Sequence, residues 1–238
     1  MGRALDGSYA EYVLLPNEQI YPVHTDLDWT TLAAIPETYY TAFGSLQQLC
    51  IAPQERVLVR GAGSGVGVAF AQLLKAQFPH IVLNGSTRNP AKAARLQAVG
   101  FDEVITEAGG KLKTDQSYDK ILELVGPATL RDSFSHINEH GIVCNTGQLG
   151  NVWYVNDFDP IIELKNNSYL TAFYSGHVSQ AKLDAMFDYI RRFNVKILIE
   201  RVFALEQVPE AHRFLQSADG FGRVVVMNGR GGLPEKAA

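Results

Sequence analysis

The stretch Gly61-Ala-Gly-Ser-Gly-Val-Gly67 follows a short β-branched run, Val57-Leu58-Val59, and runs into a segment with Val66, Phe70 and Leu74 at helical spacing. A strand, a tight glycine turn and a helix N-terminus are the parts needed to hold a pyrophosphate. Free backbone N–H groups and the positive end of the helix dipole both face the anion. Gly63, Ser64, Gly65 and Val66 are the candidate contacts. A G-x-G-x-x-G ending on Gly67 would need glycine at 62 and 64, where this chain has Ala62 and Ser64. A serine at the middle position narrows the approach and adds a hydroxyl donor. A plain tight turn is the alternative reading.

At the end of a second strand, a protein that binds NAD carries an acid for the ribose 2′-hydroxyl. Here the chain reads Gly85-Ser-Thr-Arg-Asn89, with Lys92 one turn into the next helix. Ser86 and Thr87 offer hydroxyls, Arg88 and Lys92 offer positive charge, and no carboxylate is in reach. The combination suits a 2′-phosphate and therefore NADPH. The alternative is that both cations are solvated helix-start residues.

Other candidates cluster at strand ends, where open α/β sheets bind ligands. Val125 ends a fourth strand, Thr146, Gly147, Gln148 and Leu149 follow a fifth, and Phe173 and Tyr174 end a sixth. Each could equally be core or loop. The six histidines are scattered without ligand or triad spacing, so no catalytic acid or base is assigned.

These residues need a frame of alternating elements. Strands are expected at 80–86, 103–105, 118–126, 141–147 and 168–174, after the one at 57–59. Helices are expected at 91–99, introduced by Asn89-Pro90 and closed by Gly100, at 128–137, and through Leu183, Met186, Phe187, Ile190 and Phe193. Strands separated by helices predict a doubly wound, parallel Rossmann sheet of the α/β class. A further strand at 8–15, and strands around a helix at 208–217, suggest a second unit built from both ends of the chain.

The 238 residues can bury a sizeable core. With a net charge of −4, no basic field invites nucleic acid. The two cysteines, Cys50 and Cys144, argue for a reducing, cytoplasmic setting and against a disulfide framework or zinc knuckle. No apolar run approaches the ~18 residues of a membrane span.

Several segments resemble the medium-chain dehydrogenase/reductase superfamily, in its zinc-independent quinone oxidoreductase branch. They are Asp6-Gly-Ser-Tyr-Ala-Glu-Tyr12, Ala34-Ile-Pro-Glu-Thr38 leading to Thr41-Ala-Phe43, the glycine turn, Leu122-Glu-Leu-Val-Gly126, residues 141–150, Val208-Pro-Glu-Ala-His212 and Gly222-Arg-Val-Val-Val226. The resemblance implies a remnant of a GroES-like β-barrel catalytic domain at 1–32, a Rossmann dinucleotide-binding domain at 33–198, and a C-terminal return to the catalytic domain at 199–238. It implies that most of the catalytic domain is absent, as in an N-terminally shortened member. It also places Thr41 beside the nicotinamide, and Glu37 where zinc-dependent relatives carry a cysteine ligand. A lone Glu makes a poor zinc site, so no metal is expected and Glu37 reads as a helix-start residue.

The favoured expectation is an NADPH-dependent reductase of quinones, enones or aldehydes, acting on a small-molecule electrophile as a homodimer joined through the sixth strand. An NADPH-binding module without turnover is the reading from a different class. A short-chain dehydrogenase would require Tyr followed four residues later by Lys, and the chain has no such pair.

Overall fold

In a computed structural model, residues 5–217 and 219–228 are described. Residues 1–4 and 229–238 of the two expected terminal segments lie outside them. The strands β1 (Arg56–Arg60), β2 (Val82–Thr87), β3 (Glu103–Ala108), β4 (Lys111–Leu112), β5 (Tyr118–Glu123), β6 (Ile137–Asn145) and β7 (Tyr169–Ala172) form one sheet in the order β4-β3-β2-β1-β5-β6-β7. All neighbours run parallel except β3 and β4, a short antiparallel hairpin turned by Gly109 and Gly110. Chain order reverses at β1, so the crevice of a doubly wound sheet opens beyond the ends of β1 and β5. The expected α/β Rossmann architecture is present.

Among the described residues, eight α-helices accompany the strands: α1 (Trp29–Ala34), α2 (Thr38–Leu49), α3 (Gly65–Gln77), α4 (Ala93–Ala98), α5 (Leu130–Ser135), α6 (Pro160–Glu163), α7 (Gln180–Arg192) and α8 (Val208–Gln216). Val57, Val59, Leu83 and Leu122 pack on α2 and α3 in one core. Leu58, Ile121, Val143 and Phe134 pack in another on the opposite face. The alternation within β1 thus feeds both layers, as a sheet covered on both faces requires. Leu183, Met186 and Ile190 are the buried stripe of α7.

Three differences from the sequence reading have physical causes. The helix expected over 128–137 stops at Ser135, because Ile137 is buried as the first residue of β6 beside Tyr118. Residues 8–15 form no strand: their backbone has no partner strand, and Tyr12 and Leu14 are 89% and 96% exposed. Helix α2 carries apolar and small residues on every side, with only Gln47, Gln48 and the cap exposed, so its amphipathic signal is weak. The C-terminal strands β8 (Arg201–Ala204) and β9 (Val224–Met227) pair in parallel around α8.

Candidate functional site

The glycine turn sits at the reversal point of the sheet. Gly61 adopts φ +75°, which turns the chain out of β1, and the Ser64 N–H donates back to the Gly61 carbonyl at 3.0 Å. Ser64 is the N-cap of α3, its hydroxyl oxygen accepting from the Gly67 N–H at 3.1 Å. The cap leaves the Gly65 and Val66 N–H groups without an intrahelical acceptor, at the mouth of the crevice. The serine expected as a phosphate donor is therefore first a capping residue, and its O–H hydrogen is still available. Gly67 is required by contact: a Cβ there would lie 2.6 Å from the Ala62 carbonyl oxygen. The third glycine of the motif thus sets helix against strand, although the first two are displaced.

Two cavities meet at the turn. One, of about 430 Å3, is lined by Glu37, Thr41, Val66, Thr146, Gly147 and Gln148, among others. The other, of about 870 Å3, runs past Gly63, Ser86, Thr87, Arg88, Lys92 and Val125. Ser64, Gly65 and Leu149 line both, so they make one cleft across the carboxyl edge of the sheet. Every residue singled out from sequence lines it except Phe173 and Tyr174. Phe173 packs into the core against Tyr40, where a Cβ on Gly44 would meet its ring at 2.1 Å. Tyr174 is 64% exposed and stacks edge-on with His177.

Beneath the smaller cavity, hydroxyls are linked. Thr146 Oγ1 lies 2.9 Å from Ser45 Oγ, which donates to the Thr41 carbonyl, and Cys144 Sγ is 3.4 Å from Thr146 Oγ1. Burial pushes the Cys144 thiol up to about 11, so it stays neutral at physiological pH. Glu37 is the N-cap of α2 but caps nothing with its side chain; its Oε1 accepts from the Thr41 hydroxyl at 3.4 Å. Among the described residues, no three His, Cys, Asp or Glu side chains come together as a metal site. Glu37 alone does not meet the three-ligand requirement of a catalytic zinc.

The ribose end differs from expectation in two respects. Lys92 lines the cleft with its ammonium already donating to the Gly220 carbonyl on the same wall; burial, then the neighbouring Arg95 charge, lower its pKa. A carboxylate does stand in this corner: Glu107, at the end of β3, accepts from the Ser86 hydroxyl at 3.1 Å and lines the cavity. Sequence spacing does not reveal it, because it comes from the neighbouring strand. Arg88 is exposed at the cleft edge.

The C-terminal segment supplies a wall that sequence spacing could not reveal. Gly220, Phe221 and Gly222 cross beside the turn, and Phe221 is buried under the Arg95 guanidinium, 4.3 Å from its ring centroid. Arg223 lines the smaller cavity with its buried Nε lacking a hydrogen-bond partner.

A crossed-over parallel sheet with a capped helix N-terminus opening on such a cleft is the arrangement with which Rossmann-type α/β proteins bind dinucleotides. The model of the zinc-binding dehydrogenase family matches residues 99–226, more than half the chain. The chain belongs to that family, within the medium-chain dehydrogenase/reductase superfamily, and is quinone oxidoreductase-like. It is 27% identical to a human quinone oxidoreductase over 233 residues, covering 94% of this chain and 70% of that protein. The solved structure of AibC superposes with a TM-score of 0.75 at 25% identity, covering 95% of this chain and 64% of AibC. The fold is shared with Bacillus subtilis yhfP with NAD bound, at TM-score 0.73, 22% identity and 89% and 67% coverage. It is also shared with Escherichia coli YhdH with NADPH bound, at TM-score 0.73, 17% identity and 90% and 68% coverage. No helix among the described residues is long and apolar enough to cross a membrane.

Proposed function

We propose that the protein is an NADPH-dependent, zinc-independent oxidoreductase that reduces a quinone, enone or aldehyde-type electrophile. The observation that carries this reading is the single cleft joining the N-terminus of α3 to the hydroxyl-lined cavity under Thr41 and Thr146. The N–H groups of Gly65 and Val66, with the Ser64 hydroxyl, hold the pyrophosphate. Ser86, Thr87 and Arg88 hold the ribose end, where Arg88 favours a 2′-phosphate. When bound, the dihydronicotinamide supplies the hydride. The chain's own part is to orient that ring over the Thr41–Thr146 floor and to exclude water from one side of it.

In this reading residues 1–32 and 199–238 belong to a GroES-like catalytic unit. The protein works in the cytoplasm as a homodimer joined through edge strand β7, which presents Tyr169, Leu170 and Thr171 without charge. The alternative is an NADPH-binding module without turnover, favoured by the finding that none of residues 5–28, from the expected catalytic remnant, lines the cleft. One experiment separates the two. NADPH is titrated by its fluorescence, and the bound nucleotide is then mixed with a panel of benzoquinones and enones in single turnover. Oxidation of bound NADPH supports the reductase, binding without oxidation supports the module, and no binding refutes both.

A further inference from the structure

The larger cavity is backed by a buried cation that the reading above leaves unused. Arg60, the last residue of β1, is fully buried. Its Nε and Nη2 reach Glu107 Oε2 at 3.2 and 3.1 Å, and Nη2 also donates to the Gly110 carbonyl at 3.1 Å. Its Nη1 donates to the Thr129 carbonyl at 3.0 Å, Asp132 Oδ2 at 3.0 Å and Ser133 Oγ at 3.1 Å. Glu123, fully buried as well, lies 3.7 Å from Nε and spends its own oxygens on the N–H groups of Val125 and Gly126 and the Ser133 hydroxyl. One guanidinium therefore serves three carboxyl groups.

Glu107 is the member of this group that lines the cleft, and it does so beside Ser86, Thr87 and Arg88. Among the described residues, its side-chain hydrogen bonds fall on Oε2, from Arg60 and from Ser86. A carboxylate in the corner where a ribose is held favours a hydroxyl donor and repels a phosphate. Its pairing with Arg60 offsets that repulsion, because an opposite charge at hydrogen-bond distance cancels most of the field the cleft would otherwise feel.

We propose that the Arg60–Glu107 pair sets how strongly the cleft prefers a ribose 2′-phosphate over a 2′-hydroxyl, with Glu107 opposing the phosphate and Arg60, as a positioning residue, restraining Glu107. This rests on the dinucleotide reading given above. Buried guanidinium and carboxylate thus act as a pair against which Arg88 must work.

The test is the ratio of dissociation constants for NADH and NADPH, measured by nucleotide fluorescence without any turnover. Glu107→Gln keeps the shape and an acceptor for Arg60 and Ser86 while removing the charge, and should raise the preference for NADPH at least fivefold. Arg60→Met should lower it about tenfold, and Arg60→Met/Glu107→Gln should return it to the wild-type value or above. Where the Arg60 variants do not fold, Glu107→Gln decides alone. A ratio within twofold of wild type in folded Glu107→Gln overturns the proposal. Wild-type protein that binds neither nucleotide overturns the dinucleotide reading itself and the proposal with it.

Discussion

The backbone N–H of Gly222 donates to the carbonyl of Gly63 at 3.1 Å, and a Cβ on Gly65 would meet the Gly222 carbonyl oxygen at 3.2 Å. The phosphate turn and the approach to β9 are thus one rigid junction, clamped by Phe221. Phe221→Ala should cost about 3 to 5 kcal/mol of stability, as for a fully buried aromatic, and weaken NADPH binding in the same variant. Thermal unfolding with a parallel nucleotide titration checks this. A destabilised variant with unchanged affinity would separate the junction from the site.

Arg88 should carry most of the preference for the phosphorylated cofactor. We expect NADPH to bind at least tenfold more tightly than NADH, about 1.4 kcal/mol, and Arg88→Ala to remove most of that gap. Lys92→Ala should matter less to the ratio, because Lys92 is half-buried with its ammonium bonded to the Gly220 carbonyl, whereas Arg88 is exposed at the cleft edge. Equal affinities of the wild-type protein for the two nucleotides would refute the first statement.

Gly67→Ala places a methyl 2.6 Å from the Ala62 carbonyl oxygen and 2.9 Å from its carbon, both backbone atoms that cannot rotate away. The helix must move off the strand, at a cost of about 1 to 3 kcal/mol, and it carries the Gly65 and Val66 N–H groups with it. A lower unfolding temperature together with lost nucleotide affinity is the expected result. Unchanged affinity would show that α3 does not hold the pyrophosphate.

Cys144 makes stability fall in alkali. Its folded thiol titrates near 11 against an ordinary 9.0, chiefly because burial disfavours the thiolate. The native state keeps its proton while the unfolded chain loses it, so this contribution is intact below pH 9 and is lost as pH rises towards 11. The full loss is about 3 kcal/mol, roughly half of it by pH 10. From pH 8 to 10 the wild type should therefore drop about 3 to 5 °C further in Tm than Cys144→Ala. Parallel thermal scans at the two pH values test it, and equal drops would count against the buried thiol as the cause.

The edge position of β7 predicts self-association. Thr171 sits mid-strand, opposite Cys144 on β6, with its hydroxyl donating to Gln48. A proline there would remove one backbone N–H donor from β7 and disrupt the edge. Sedimentation should give a dimer at micromolar concentration and a monomer for Thr171→Pro.

Much of this was legible along the chain because the relevant signals are local. The turn at Gly61–Gly67, the Asn89-Pro90 helix start and the stripe of α7 each lie within a dozen residues, and each is found where the residues place it. The parts that were not legible depend on meetings across the fold. Glu107 joins Ser86 through pairing of neighbouring strands, Lys92 finds Gly220, and Phe173 turns inward because Gly44 leaves room for its ring. Residues 8–15 carry the aromatic and branched side chains of a strand, but composition cannot supply the neighbour a strand needs.

The crossing of Gly220–Gly222 beside the phosphate turn also has a consequence for how the protein is made. All seven strands of the main sheet precede residue 173, so a ribosome can release a chain whose sheet closes well before Phe221 emerges. During that interval the turn at Gly63–Gly65 has one wall missing and its crevice open to solvent. This wall of the cleft is therefore completed late in synthesis, with β9 still to follow. Any ligand that needs it would join the nascent chain as a late fastening rather than as a seed for folding.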